Sequence, residues 1–387
     1  MRCRILPEKS GDLLDRPELE RINHKKYTKD ALPDLFGIVK KIAISRFYLP
    51  QKPNLSHSGR IMSTLDSREL SPDEFPQWDE LVDSSLHGTI FHKTGWLEAS
   101  ARALEKKVKI FGCFQNGLLV GGCSLFIHKK YAIVPIAIAT CTLTHYGGFV
   151  IFSSPNTSRH KQESVSGQVI ESLIDRIKKE HFFFINIQHP PEFLDIRPFT
   201  RNGWRSRVSY TYYLNLTHDI ESSVDNSIKK SIRKAEKNRI SIEPFSDISR
   251  YYDLFCETYR RKNLDPPCEK RLFTELYSFI RTQNCGEMMA ARTPEDEIAS
   301  ADIVIWDNKK AYRWSSASDF RFLNTGAPTV MKLHSFERCR ERGIPQIDLM
   351  TANVQQLSQF TAHLNPILAP CYGIKHWLFD DILNRKT

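Results

Sequence analysis

The chain has 387 residues, with 55 Lys and Arg against 45 Asp and Glu for a formal net charge of +10, and 41% of its positions are hydrophobic and 11% aromatic. That length holds roughly two or three domains with sizeable cores, and the aromatic content excludes global disorder. With 17 glycines and 20 prolines, collagen-like and mucin-like classes are excluded as well. The positive excess is concentrated in residues 1–61, which hold 13 basic and 7 acidic side chains, so a nucleic-acid surface over the whole body is not indicated.

Residues 1–68 are rich in Pro, Lys and Ser, and Leu49–Gly59 is loop chemistry throughout. They are expected to form a poorly ordered extension, with Met62 as an alternative start of the folded body. Arg2 and Arg4 are followed by polar sequence rather than an apolar run, so a secretory signal is not expected there. Ser71-Pro72-Asp73-Glu74 starts a helix, predicted over 74–86, and a second follows over 96–104. Strands over 108–114 and 118–127 flank Asn116-Gly117, a strong hairpin signal. The uncharged run Tyr131–Phe152 is broken by Pro135, Gly147 and Gly148, which predicts buried strands and a turn rather than a membrane span. A helix over 165–179 leads into a strand over 182–187.

The second half repeats this order. Helices are predicted over 227–238, 249–262 and 269–281, then strands over 287–292, 299–306 and 311–315, with Asn308-Lys309 as a turn. A helix over 329–342 passes Gly343 into a strand over 346–350. Helices, an antiparallel meander, a helix and a strand thus occur twice. The pattern predicts a mixed α/β (α+β) chain of two tandem domains, 69–217 and 218–387, each a mostly antiparallel sheet flanked by helices. Nine cysteines show neither C-x-x-C nor zinc spacing. Reduced thiols, a cytoplasmic location and no metal are expected.

Several local words strengthen the pattern. They are Gly88-Thr89-Ile90-Phe91-His92 with Trp96-Leu97, Tyr146-Gly147-Gly148, and Lys229-Lys230-Ser231-Ile232-Arg233-Lys234-Ala235-Glu236-Lys237-Asn238. Others are Tyr312-Arg313-Trp314-Ser315-Ser316-Ala317, Thr325-Gly326-Ala327-Pro328, Ile347-Asp348-Leu349-Met350, and Asn365-Pro366 before Tyr372-Gly373. In this order they resemble the GNAT acyltransferase superfamily, and within it the FemAB-type peptidoglycan-bridge aminoacyltransferases and their acetyltransferase-like relatives. Phe360-Thr361-Ala362-His363 stands where bridge-forming enzymes have Phe-Lys, and no long coiled-coil arm fits between Thr217 and Arg281. Both departures favour the broader acyltransferase group. The Q/R-x-x-G-x-G/A pyrophosphate loop of ordinary coenzyme A-binding domains is absent before Val165 and Thr329.

The resemblance implies an N-acyltransferase that moves an acyl or aminoacyl group to an amine. Acyl-CoA or aminoacyl-tRNA would serve as co-substrate with no bound cofactor. The acceptor would be a small molecule or a cell-envelope precursor. A tRNA partner follows in the aminoacyl case, whereas DNA and a membrane span are not expected. A reading from another class is a non-catalytic RNA- or nucleotide-sugar-binding module built on the basic helix 228–238.

Candidate site residues follow from position. Ile228, Ile232 and Ala235 make a buried stripe, while Lys229, Lys230, Arg233, Lys234 and Lys237 face only Glu236 as a counter-charge. Lys230, Arg233, Lys234 and Lys237 are therefore expected to bind phosphates, unless the face is simply solvated. Asp348 ends a strand ahead of Asn353; it could orient or deprotonate an attacking amine, or cap the next segment. Arg313, between two aromatics, could hold a substrate carboxylate or phosphate, or pair with Asp302 or Asp319. Ser315 is a substrate-contact or structural residue. By the chemistry of the resembled superfamily, Tyr372 would protonate the leaving group, with packing as its other role. His92 with Trp96 is expected to make a helix-start contact.

Overall fold

The computed structural model describes residues 65–130, 134–152, 158–218, 220, 224–261, 263–350, 352–353 and 355–378. The expected extension over 1–61 lies outside these residues. Strand β1 (Leu65–Glu69), most of it assigned above to the extension, pairs antiparallel with β2 (Lys107–Gln115). Between them run α1 (Phe75–Ser84) and α2 (Thr94–Leu104). β2 turns into β3 (Leu118–Lys130) through Asn116 at φ 52° and Gly117 at φ 80°, the left-handed pair that a tight hairpin demands. β4 (Val134–Ile138), β5 (Gly148–Ile151), α3 (Arg159–Lys178), β6 (Phe184–Gln188), α4 (Arg197–Arg201) and β7 (Arg205–Asn215) follow.

The next elements are α5 (Asn226–Lys237), β8 (Ser241–Pro244), α6 (Ile248–Arg260), α7 (Lys270–Thr282), β9 (Gly286–Arg292) and β10 (Ile298–Trp306). The chain ends, among the described residues, with β11 (Ala311–Ser318), α8 (Ala327–Glu341), β12 (Gln346–Asp348), α9 (Gln355–Ala362) and β13 (Ile367–Trp377). Asp225 caps α5, its carboxylate accepting the Ser227 and Ile228 N–H groups. That is the orphan-donor satisfaction an Asp offers a helix start.

The expected mixed α/β fold with a mostly antiparallel sheet is present, and the described strands form one sheet. Its order is β1-β2-β3-β4-β6-β13-β7-β12-β11-β10-β9-β8, with β5 beside β3. The two sequence patterns share its centre. β13, last in the chain, lies between β6 and β7, while β7 from the first pattern pairs with β12 of the second. Each half thus closes its sheet with the other's strand, which leaves no open strand edge at the seam.

Side-chain packing crosses the same seam. Trp96 of α2 meets Phe279 of α7 at 5.9 Å and Trp314 of β11 at 5.4 Å, both edge-on. Burying each such ring contributes about 1.5–3 kcal/mol. The turn between β10 and β11 docks onto α1: Lys309 Nζ donates to the Val82, Asp83 and Ser85 carbonyls at 2.9, 3.3 and 3.1 Å. Those carbonyls lie at a helix C-terminus, where acceptors lack intrahelical donors and a cation is favoured.

Candidate functional site

Strands β11 and β12 run parallel but pair only at Ala311↔Ile347 and Tyr312↔Asp348. β11 continues to Ser318, so among the described residues its edge beyond Tyr312 has no strand partner on that side and the sheet forks. The fork coincides with a bulge. Tyr312 opposes Ile305 and Ser315 opposes Ile303, leaving Arg313 and Trp314 together against Val304. Such an insertion increases twist and re-aims the strand.

The equivalent place in the first half is different. β4 and β6 pair in parallel over Ile136–Ile138 and Phe184–Asn186, and β4 and β5 both pair with β3. Between β4 and β5 the segment 139–147 leaves the ladder and fills the fork, with Ala139 N–H donating to Asn186 O and Gly147 N–H to Gln188 O. A side chain at Gly147 would come within 2.1 Å of the Ala139 oxygen, and one at Gly148 within 2.3 Å of Ile187 Cγ2. The first fork is thus occupied by its own backbone. The excursion also reaches the second half, where the Leu143 carbonyl accepts Trp314 Nε1–H at 2.8 Å.

Asp348 lies at the fork and is fully buried. Its Oδ2 accepts the Tyr146 hydroxyl at 2.7 Å, and its Oδ1 accepts the Thr211 hydroxyl and the Met350 N–H. Burial raises its carboxyl above the usual carboxylate range, against the opposing pull of Lys310 and these donors. Alongside, Lys310 Nζ donates to Glu192 Oε1 at 2.6 Å and to the Tyr213 hydroxyl at 2.7 Å, while that hydroxyl donates to the same Glu192 oxygen. Met350 at φ 55° and Leu143 at φ 64° hold left-handed backbone without being glycine. Such residues store about 1–3 kcal/mol and persist only where their surroundings enforce them. Both border Asp348 or Trp314.

The predicted residues do not all gather here. Asp348 pairs with Tyr213, and Tyr213 lies four residues along β7 from Ser209, the partner of Cys371. Cys371 therefore shares the Asp348 face, 4.0 Å from the Tyr146 hydroxyl, and Tyr372 points to the opposite face. Asn353 bonds the Tyr210 backbone, its Oδ1 accepting the N–H at 2.9 Å and its Nδ2 donating to the carbonyl at 2.7 Å. Arg313 is paired in fork fashion with the buried Asp302 carboxylate at 3.1 and 3.2 Å. Ser315 accepts the Tyr251 hydroxyl at 2.7 Å. Lys230, Arg233, Lys234 and Lys237 lie exposed on α5. No ion pair to them occurs among the described residues.

His92 ends a short turn over Ile90–His92, its carbonyl accepting Trp78 Nε1–H at 2.7 Å, while Trp96 Nε1 donates to Thr144 Oγ1. Sequence reasoning passed over the other buried or half-buried polar groups: Tyr146 as a hydrogen-bonding group, Thr211, Glu192, Tyr213 and Lys310, and the imidazoles of His87, His145 and His189. Burial pushes His87 and His145 down to about 4 and His92 and His189 to about 3. No spacing links these residues in sequence; only the Tyr146-Gly147-Gly148 word pointed to one of them. Lys332, partly buried on α8, is pushed down to about 7 by desolvation and by Arg313 beside it.

Helix α8 follows β11, and its first turn is covered. Gly326, at φ 90°, lets α5 approach so closely that a Cβ there would sit 2.3 Å from the Ser231 carbonyl oxygen and 2.8 Å from the Ala235 nitrogen. Asn238 Nδ2 adds a bond to the Thr325 carbonyl at 3.2 Å. The basic helix thus lies where a helix N-terminus would otherwise meet an anion. Among the described residues, no cluster of His, Cys, Asp and Glu could hold a metal ion, and no helix is long and apolar enough to cross a membrane.

Comparison with known proteins places this geometry. Residues 222–355, which contain the fork, match the acetyltransferase (GNAT) domain model. The fold is similar to that of FemX, with a TM-score of 0.61 at 12% identity over 79% of this chain and 96% of that one. It is also similar to a conserved protein of unknown function from Bacteroides thetaiotaomicron VPI-5482, with a TM-score of 0.55 at 9% identity over 81% of this chain and 100% of that one. A tandem GNAT protein from the clavulanic acid biosynthesis pathway gives a TM-score of 0.50 at 12% identity, covering 81% and 99%. No curated protein matches the chain.

Proposed function

From a chain with a FemAB-like GNAT fold, whose residues 222–355 match the GNAT acetyltransferase domain, we propose an N-acyltransferase that moves an acyl or aminoacyl group from an activated donor to an amine. The observation that carries this reading is the β11–β12 fork with its bulge at Arg313-Trp314. An acyl carbonyl in the fork would meet unpaired main-chain groups of β11, and N–H donors fixed there would stabilise the oxyanion as the amine adds. Collapse of that intermediate would form the amide and release the thiol of coenzyme A or the ribose hydroxyl of a tRNA. The amine's proton would leave to solvent or to a nearby base.

Asp348 is better suited to hold Tyr146 and the fork in place than to receive that proton directly, since both its oxygens are taken and it has no exposed surface. The backbone filling the first fork supports a single donor site, in the second half. Coverage of α8's first turn by α5 argues that donor phosphates would lie along the outer face of α5, on Lys230, Arg233, Lys234 and Lys237. A cytoplasmic location and a cell-envelope precursor as acceptor remain part of this proposal.

Acetyl-coenzyme A and, separately, an aminoacyl-tRNA should be offered with a panel of primary amines. Free thiol or deacylated tRNA appearing only when an amine is present is the expected result. Tight binding of either donor without turnover would sink the enzymatic reading and leave the non-catalytic binding module.

A further inference from the structure

Between β6 and α4 the chain carries His189, Glu192 and Phe193, and His87 follows α1. The His189 ring stacks on Phe193 at 4.0 Å and 10°, and His87 meets the same ring at 4.8 Å. Glu192, next to Phe193 in the chain, draws the His87 ring toward protonation, and His87 in turn opposes protonation of His189. The three polar side chains are therefore neighbours. Glu192 ties them to the second half through Lys310, and to Asp348 through Tyr213, which opposes Asp348 across the β7–β12 pair.

Each of the three holds a buried polar atom without a hydrogen-bond partner among the described residues: His87 Nδ1, His189 Nε2 and Glu192 Oε2. Native interiors leave few such atoms, because an unpaired buried polar group costs free energy. Two of them are acceptors. His189 Nδ1 lies 3.2 Å from the Tyr372 carbonyl, which can only accept, so Nδ1 carries the ring hydrogen and Nε2 a bare lone pair. Burial keeps that ring neutral at neutral pH. Glu192 Oε1 accepts the Lys310 ammonium and the Tyr213 hydroxyl, while Oε2 receives nothing. His189 has no exposed surface, yet the Glu192 side chain is 31% exposed, so the group can be reached from solvent.

Two bare acceptors side by side call for a group that brings hydrogens. The side chains are not grouped as a metal centre would need. An anion would set its own lone pairs against those of Glu192 and His189. A water or an alcohol brings hydrogens without charge, whereas a carboxylate oxygen binds a charged donor about twice as strongly as a neutral one. We infer that Glu192 Oε2 and His189 Nε2 form a binding site for a primary ammonium group, the one carried by the amine acceptor. As the acceptor's place the site rests on the acyl-transfer reading; as an ammonium site it does not, and it is tested without a donor.

The probe is n-butylamine, an ammonium ion at neutral pH, titrated into full-length protein whose histidines are isotope-labelled for ring-nitrogen NMR. Its uncharged counterpart is n-butanol. The His189 Nε2 resonance should shift saturably with n-butylamine, as that nitrogen accepts a hydrogen bond, and n-butanol should leave it in place. Glu192→Gln keeps the side-chain size and an acceptor for Lys310 but removes the charge. It should weaken n-butylamine binding about tenfold or more, the usual effect of losing a hydrogen bond to a charged group. A cooperative melting transition verifies that the variant folds, and the resonance test on the parent needs no variant. Three outcomes overturn the inference: no shift at His189, an equal shift with n-butanol, or a folded Glu192→Gln protein that binds as the parent does. Binding of n-butylamine without acyl transfer from either donor would support the site and sink the acyl-transfer reading alone. Transfer with an amine KM that Glu192→Gln leaves unchanged would sink the ammonium site alone.

Discussion

Tyr146 and Asp348 are 202 residues apart in sequence, yet the phenol of the first donates to the carboxylate of the second at 2.7 Å. The bond joins the segment filling the first fork to the strand that bounds the second. Asp348 is fully buried, so each donor it loses leaves charge uncompensated in a low-dielectric setting.

Tyr146→Phe keeps the ring and removes only that donor. It should destabilise the fold by about 1–3 kcal/mol, the penalty for unpairing a buried polar group. The urea midpoint should fall with little change in slope. Asp348→Ala should cost more, because it strands the Thr211 and Tyr146 hydroxyls together. A Tyr146→Phe protein as stable as the parent would remove the anchoring role.

Gly326→Ala tests the seating of the basic helix. At φ 90° any side chain is disfavoured by about 1–2 kcal/mol, and here the added carbon also meets the Ser231 oxygen. Gly343, at φ 74°, has nothing within 4 Å of a Cβ, so Gly343→Ala carries the conformational cost alone. The melting temperature should fall further for Gly326→Ala than for Gly343→Ala. Equal losses would mean that α5 shifts freely and is not held by this contact.

Lys309→Met should release the β10–β11 turn from α1. The side chain keeps its packing but loses three carbonyl acceptors, a loss of about 1–3 kcal/mol. Amide exchange should accelerate in the last turn of α1 and around Ser85 before it does elsewhere. Uniform acceleration through the whole protein would instead mark the turn as part of the global core.

Acid should unfold the protein through its histidines. His87, His92, His145 and His189 titrate near 3–4 when folded and near 6.5 when unfolded, burial being the first cause in each. Between those values the unfolded chain binds more protons, so stability rises with pH. The stabilisation is complete above about pH 6.5 and is lost as pH falls towards 4. Melting temperatures should drop steeply over that window, and acid unfolding near pH 5 should take up about four protons by these groups. A flat profile between pH 4 and 6.5 would show that these imidazoles are not buried as described.

Much of the element pattern was legible because it is local. The Asn116-Gly117 hairpin, the Ile228/Ile232/Ala235 stripe of α5 and the Gly343 stop after α8 each depend on residues within one or two turns of chain. β7 and β13 were missed for a physical reason. Arg205–Tyr210 and Ile367–Leu368 are largely exposed, so the alternation that betrays a half-buried strand is weak. β1 was hidden likewise by its short, polar Leu65-Asp66-Ser67-Arg68-Glu69.

The sequence by itself determined the repeated order of helices and strands, the basic row of α5 and the turn chemistry, because periodicity, charge spacing and left-handed turn residues act over short separations. Only the tertiary structure decided that β13 lies between β6 and β7, that segment 139–147 closes one fork while the other stays open, and that Tyr146 rather than Tyr372 meets Asp348. Those outcomes depend on strand register. A one-residue shift along β13 exchanges Cys371 for Tyr372 at the buried face, and nothing within the local sequence fixes that register. It is set by partners on β6 and β7, from Lys375↔Asn186 to Ile367↔Tyr213, which reach β13 only once the two halves share one sheet.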